Sequence, residues 1–187
     1  MQNKFLNPLA DFLRPKTIIE VLGQEHLTSK NGFLGRMIQK NRITSCILWG
    51  PPGSGKTTIA RVIRNEISIE YEELSAVFSG VADLKKLFKK AADNLTKGVR
   101  TLLFVDEIHR FNKGQQDSFL PYLENGSIVL MGATTENPSF ALNSSLLSRC
   151  QVFVLKKLEK NDFKILLSRA EKVFGYKVPL SQDALNF

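Results

Sequence analysis

The chain alternates two apolar patterns. Short continuous runs at residues 46–49, 101–105, 128–132 and 152–155 are bounded by charge or glycine, as strands buried on both faces of a parallel sheet require. Between them lie stretches of helical periodicity. Residues 57–67 place Ile59, Ala60, Val62, Ile63 and Ile67 at mostly helical spacing, and residues 80–95 set Val81, Leu84, Leu87, Phe88, Ala91 and Leu95 on one stripe. Lys85, Lys86, Lys89 and Lys90 fall on the other side of that second helix and read as a solvated face rather than a nucleic-acid patch. Strands alternating with helices predict an α/β domain with a mostly parallel sheet and crossover helices. Ligands in such sheets bind beyond the carboxyl ends of the strands, which is where the polar motifs of this chain fall.

Composition refines the picture only slightly. With 187 residues, 43% apolar and 24% charged, the chain can bury about 70% of its unfolded surface without help from a metal or disulfide. Cys46 and Cys150 show no pairing pattern, which suits a reducing, cytoplasmic setting. His26 and His109 lack a partner Cys or His at ligand spacing, so each is expected to be a hydrogen-bonded structural residue rather than a metal ligand. No apolar stretch approaches the roughly 18 residues a membrane span needs. Residues 1–15 carry charges and prolines where a secretory signal would be apolar, so export is not expected. The net charge of +8 is concentrated in residues 1–44 and 151–187 and is compatible with an anionic partner, nucleic acid or a phosphorylated ligand.

The chemistry begins at Gly50-Pro51-Pro52-Gly53-Ser54-Gly55-Lys56-Thr57, followed by Thr58. It fits the Walker A pattern in the required context, after an apolar strand and at the start of a helix. Chance would supply on the order of 0.01 such matches in a chain of this length. Its glycines let successive backbone N–H groups wrap phosphates, Lys56 reaches the β- and γ-phosphates, and Thr57 is placed to ligate Mg²⁺. Downstream, the run at residues 102–105 ends in Asp106-Glu107, the form of a Walker B element. Asp106 would hold Mg²⁺ through its water shell, and Glu107 would orient and deprotonate an attacking water. That acidic pair favours hydrolysis over the transfer chemistry of a small-molecule kinase. Asn112-Lys113-Gly114-Gln115 ends in Gln where a guanine-reading element needs Asp, so GTP is not supported.

The run at residues 128–132 leads into Ala133-Thr134-Thr135. If it lies between the first and third strands, it delivers a hydroxyl beside the γ-phosphate. Thr135 is the preferred residue for that sensing role and Asn137 the second choice. Arg149, in Ser148-Arg149-Cys150 just before the last apolar run, reads by itself first as a surface ion-pair residue and second as an arginine facing a neighbouring subunit.

Taken together these segments resemble the ATPase domain of the replication-associated recombination protein A family of AAA+ ATPases. The resemblance rests on Pro8-Leu9-Ala10, Arg14-Pro15, Gly23-Gln24-Glu25-His26, the stretch from Ile47 to Gly53, Leu74-Ser75-Ala76-Val77, the stretches from Phe104 to Lys113 and from Gly132 to Phe140, and Leu146-Leu147-Ser148-Arg149-Cys150. It covers residues 7–158. It implies a five-stranded sheet of order 5-1-4-3-2, ATP as nucleotide, and adenine held near residues 19–23, with Val21 and Gly23 as contacts. It also implies Arg149 as a finger acting across a subunit interface, a homo-oligomeric ring, and binding to DNA at forks or single-strand gaps beside single-stranded-DNA-binding protein, in the cytoplasm at the nucleoid. On this reading residues 1–44 form the adenine-side segment, 45–158 the core, and 159–187 the start of a helical lid. A first lid helix is expected at residues 161–174, closed by Gly175, and a second from Ser181. Relatives continue through a longer lid that carries a sensor arginine. The resemblance therefore implies a truncated chain in which that arginine is missing and hydrolysis is slow or absent. The alternative reading is a nucleotide-binding interaction module without turnover.

Overall fold

A computed structural model of the chain describes residues 12–179. The helix expected from Ser181, and Pro8-Leu9-Ala10, lie outside them. Five strands, β1 (Cys46–Trp49), β2 (Glu70–Ser75), β3 (Thr101–Asp106), β4 (Ile128–Thr134) and β5 (Gln151–Val154), form one sheet of order β2-β3-β4-β1-β5, parallel at every pairing. This is the order 5-1-4-3-2 read from the other edge. The helices are α1 (Glu25–Thr28), α2 (Phe33–Gln39), α3 (Lys56–Glu66), α4 (Val81–Thr96), α5 (Lys113–Asp117), α6 (Leu120–Glu124), α7 (Pro138–Ala141), α8 (Ser144–Leu147) and α9 (Lys160–Phe174).

The continuous apolar runs are explained by the two faces of the sheet. Successive side chains in a strand point to opposite faces, so a strand covered on both sides has no polar position to spare. Leu48, Phe104 and Met131 pack with Ile59 and Ile63 of α3 in one core, while their neighbours Ile47, Leu103 and Leu130 pack with Leu84 and Phe88 of α4 in the other. All seven residues of β4 are buried. The four lysines of α4 are exposed and Lys90 pairs with Glu72 of β2.

Two strands depart from expectation. The apolar pattern did not reveal β2, whose Glu70, Glu72 and Glu73 contradict a buried run. Among the described residues it is an edge strand paired only with β3, and charged edges discourage pairing with other chains. The run at residues 152–155 was expected to be buried on both faces like β3, but β5 is the opposite edge. Its Phe153 and Leu155 are buried, whereas Val152 and Val154 are 37% and 53% exposed.

The segment before β1 is fastened to the core by side chains. Gln24, fully buried, donates through Nε2 to the carbonyls of Ser54 (3.2 Å) and Lys156 (2.8 Å) and accepts from the Lys156 N–H (3.0 Å). One amide thus ties the N-terminal segment, the phosphate loop and the chain leaving β5 together. Removing it as Gln24→Ala takes the partner from one buried and two half-buried backbone groups, and a lost partner in such a place costs about 1–3 kcal/mol. We expect Gln24→Ala to lower unfolding stability by about 2–3 kcal/mol and to weaken nucleotide binding, read by urea denaturation and titration calorimetry; an unchanged urea midpoint would contradict the role.

Candidate nucleotide site

Loop geometry follows from the glycines. Gly55, the residue before α3, has φ +96° and Gly53 φ +75°, backbone that residues with a Cβ avoid. The loop therefore turns tightly between β1 and α3, and Gly53 and Gly55 line one concavity. Lys56, the first residue of α3, is buried and donates from Nζ to the carbonyls of Gly50 (2.8 Å) and Pro51 (3.0 Å). Burial lowers its ammonium pKa, opposed by the nearby carboxylates of Glu107 and Asp106.

The sheet order brings the acids to this loop. With β4 lying between β3 and β1, the ends of β3 and β4 open onto the mouth beside β1. A cleft of about 490 Å³ is lined there by Gly53, Lys56, Thr57, Asp106, Glu107 and Thr135, with Pro52 and Thr58 also at its wall. Desolvation first, and then the charge of Glu107, raise the Asp106 carboxyl above its ordinary range, with Lys56 pulling the other way. An under-neutralised carboxylate beside the Thr57 hydroxyl is what a divalent cation would satisfy. Ser54 Oγ in the same loop is buried and, among the described residues, has no hydrogen-bond partner. These features fit Mg²⁺ and a phosphate chain.

The raised Asp106 carboxyl has a testable sign. A group that binds its proton more tightly in the folded chain than in the unfolded one makes stability fall as pH rises through the carboxylate range, the reverse of an ion-paired acid. Asp106→Asn removes that penalty. Its melting temperature relative to the parent should rise from pH 4 to pH 7, by about 2–4 °C per kcal/mol of penalty removed, while Mg²⁺ no longer tightens nucleotide binding. Scanning calorimetry at the two pH values checks this; a difference between variant and parent that stays constant or falls from pH 4 to pH 7 would refute it.

Glu107 carries a backbone feature the sequence does not announce. Its φ and ψ are 51° and 45°, a left-handed conformation unusual for a residue with a long side chain. Such strain persists where surrounding packing over-determines it and clusters at functional sites. The packing is visible: Ile108 is fully buried against Gly132 of β4, where an added Cβ would come within 3.0 Å of the Ile108 Cδ1. The Arg110 N–H bonds the Glu107 carbonyl at 2.8 Å.

Thr135 lines the cleft and its hydroxyl donates to Glu107 Oε2 at 3.5 Å. Asn137, the second choice, does not line it; its side chain caps α7 by accepting from the Ser139 N–H. A second recess of about 280 Å³ adjoins the cleft through Arg14, Gly53, Gly55 and Thr58, and is walled by Val21, Leu22, Leu158 and Leu166. Val21 therefore lies in the wall of a recess next to the phosphate loop. Gly23 does not line the recess: at φ +72° it passes beneath α9, where a Cβ would strike Leu158 at 2.8 Å. Arg169 of α9 does line it, and donates to the Glu20 carbonyl at 3.1 Å.

Arg149 is away from this cleft. It pairs with Glu124 of α6 and donates to the Ser145 carbonyl at 2.8 Å. The expectation that the histidines are hydrogen-bonded holds: His26 Nε2 meets the Val154 carbonyl at 3.0 Å, and His109 Nδ1 meets Thr134 Oγ1 at 2.9 Å. Burial pushes the Cys150 thiol up to about 12 and Cys46 higher still, so neither is a ready nucleophile.

Gln24 and Arg169 went unassigned in the sequence, because each acts on residues 30 or more positions away. The only available signal for Gln24 was its place in Gly23-Gln24-Glu25-His26.

Residues 46–158 match the family described as ATPase family associated with various cellular activities (AAA). The chain is 49% identical over 171 residues to Replication-associated recombination protein A of Escherichia coli (strain K12), an alignment covering 90% of this chain and 38% of that protein. It is 45% identical over 182 residues to ATPase WRNIP1 of Dictyostelium discoideum, covering 97% of this chain and 20% of the other. Among solved structures it superposes on the Thermotoga maritima RuvB Holliday junction branch migration motor with TM-score 0.69 and 30% identity, over 88% of this chain and 55% of that one. The chain spans about two fifths or less of these curated relatives' length. With this family's model matching well over half of the chain, the chain belongs to the AAA family of ATPases and is similar within it to Replication-associated recombination protein A.

Proposed function

We propose that this chain is the nucleotide-hydrolysing domain of a DNA-maintenance ATPase, binding Mg·ATP in the paired clefts and hydrolysing it at an interface between subunits. The observation that carries the reading is the convergence of Lys56, Thr57, Asp106, Glu107 and Thr135 on one cleft, with Glu107 held in a strained backbone. Val21 and Leu22 face the base from the N-terminal segment, and Gly50, Pro51 and Ser54 complete the loop around the phosphates. Thr57 and Asp106 would hold the metal. Bound Mg²⁺ would offset charge on the β- and γ-phosphates and orient them for in-line attack.

Lys56 gives up its loop carbonyls to the β- and γ-phosphates, and its low-dielectric surroundings strengthen that contact. Glu107 orients the attacking water and accepts its proton. Thr135 stands next to that carboxylate and reports the γ-phosphate to β4. Arg149 serves the active site of an adjacent copy, where an arginine stabilises transition-state charge. By similarity to relatives named for replication and recombination, the substrate surface is DNA, at forks or single-strand gaps, with single-stranded-DNA-binding protein nearby in the cytoplasm. The net charge of +8 suits phosphate contacts, which weaken steeply with salt.

The test is steady-state ATP turnover of the 187-residue chain with and without forked DNA, at 50 and 200 mM salt. DNA-stimulated turnover that fades at the higher salt supports the reading. Tight Mg·ATP binding without turnover in any preparation would replace it with a nucleotide-binding interaction module.

A further inference from the structure

His109 is the one histidine next to the cleft, and its ring is almost fully enclosed, with the side chain 4% exposed. Its two nitrogens face two carboxylates. Nδ1 lies 3.3 Å from Glu107 Oε2, and Nε2 lies 3.4 Å from Glu136 Oε1. Carboxylates only accept hydrogen bonds, and a neutral imidazole carries one N–H, so the ring in that state can serve one of the two acids at a time.

Thr134 makes either choice feasible. Its hydroxyl oxygen already accepts the Glu136 N–H at 3.0 Å, and its own proton has two acceptors in reach, His109 Nδ1 at 2.9 Å and the Glu136 carbonyl at 3.3 Å. When Nδ1 carries the ring proton, it donates to Thr134 Oγ1 at 2.9 Å with Glu107 Oε2 beside it at 3.3 Å, and Thr134 turns its own proton to the Glu136 carbonyl. When Nε2 carries it, the ring serves Glu136, Thr134 donates to Nδ1, and Glu107 Oε2 confronts a lone pair. Thr134 is itself fully buried at the end of β4, so this relay is built into the sheet rather than into a loose surface.

Resting on the hydrolytic reading of Glu107, we propose that His109 is a positioning residue for that carboxylate. Its Nδ1–H, anchored on Thr134 Oγ1, presents its positive edge to Oε2, which the Thr135 hydroxyl also bonds, and so leaves the other carboxylate oxygen to take the proton of the attacking water. Glu136, whose side chain is 60% exposed, is the competitor for the ring proton. The strained backbone at Glu107 sets where the carboxylate starts; His109 and Thr135 set where it points.

The experiment compares kcat and KM for ATP in the parent, His109→Ala, His109→Asn and Glu136→Ala. Misplacing a reacting group by about 1 Å costs on the order of 100-fold, so His109→Ala should lose about 10- to 100-fold in kcat with KM for ATP nearly unchanged. The Asn amide nitrogen falls close to the Nδ1 position and can donate to Glu107, so His109→Asn should recover most of the loss. Glu136→Ala removes only the competitor and should keep kcat. A parental kcat in His109→Ala overturns the inference, and so does equal loss in the Ala and Asn variants. If the parent itself turns over no ATP, the hydrolytic reading fails separately. The positioning inference is then decided by crystal structures of the parent and His109→Ala: a Glu107 carboxylate in the same place in both overturns it, and one that has swung away from Thr135 upholds its structural half.

Discussion

Replacing Glu107 with Gln is expected to cut ATP turnover by about 10²- to 10⁴-fold while leaving Mg·ATP affinity nearly unchanged. Gln keeps the length and shape of Glu, so the left-handed backbone at φ 51° and the contact with Thr135 can survive. It cannot accept a proton from water, which is the step assigned to this residue. Affinity should hold because Lys56, Thr57 and Asp106 are untouched. Single-turnover hydrolysis beside calorimetric titration of Mg·ATP separates the two quantities. Comparable turnover in parent and variant would remove Glu107 from the chemistry and leave the strained conformation without a catalytic explanation.

Arg149→Ala should be nearly as severe, with a loss of about 10³-fold or more in turnover, the usual worth of an arginine acting across an interface. Folding should be spared. The side chain is 38% exposed and its partners are Glu124 and the Ser145 carbonyl, contacts of a kind that contribute about 0–1 kcal/mol. Binding to a neighbour must first free the guanidinium from Glu124, so Glu124→Ala should leave turnover intact or raise it. The decisive measurement mixes Arg149→Ala with Glu107→Gln. Each variant is inactive alone, but a mixed assembly contains some interfaces with an intact Glu107 on one side and an intact Arg149 on the other. Recovery of activity on mixing establishes action in trans. If mixing restores nothing while both variants still assemble, Arg149 works within its own chain or not at all.

Much of this was legible in one dimension because the relevant interactions are local. The P-loop is eight consecutive residues, so its glycines, lysine and hydroxyl form a pattern that can be read from spacing alone. The same holds for Asp106-Glu107, adjacent at the end of an apolar strand. For β3 and β4 the rule is equally direct: strands covered on both faces tolerate no polar position, and the apolar runs at residues 101–105 and 128–132 say so. Edge strands obey a weaker rule. One side of β2 meets no other strand, which lets Glu70, Glu72 and Glu73 stand in a strand. The valines of β5 suggested burial that the sheet edge does not provide.

What only the tertiary structure decided lies in contacts between residues far apart in sequence. The order of the strands sets which hydroxyl of Thr134-Thr135 reaches Glu107 and which turns to His109, and it leaves Asn137 to cap a helix. Gln24 finds its partners at Ser54 and Lys156, and Arg169 returns from α9 to the recess beside Val21. A single amide or guanidinium has no periodicity, so a pattern along the chain cannot reveal its partner. The sequence determined which residues are the candidates for phosphate and metal, because that chemistry demands fixed residue types at fixed spacing. The fold decided their orientation and support, because direction and burial exist only once distant segments are packed together.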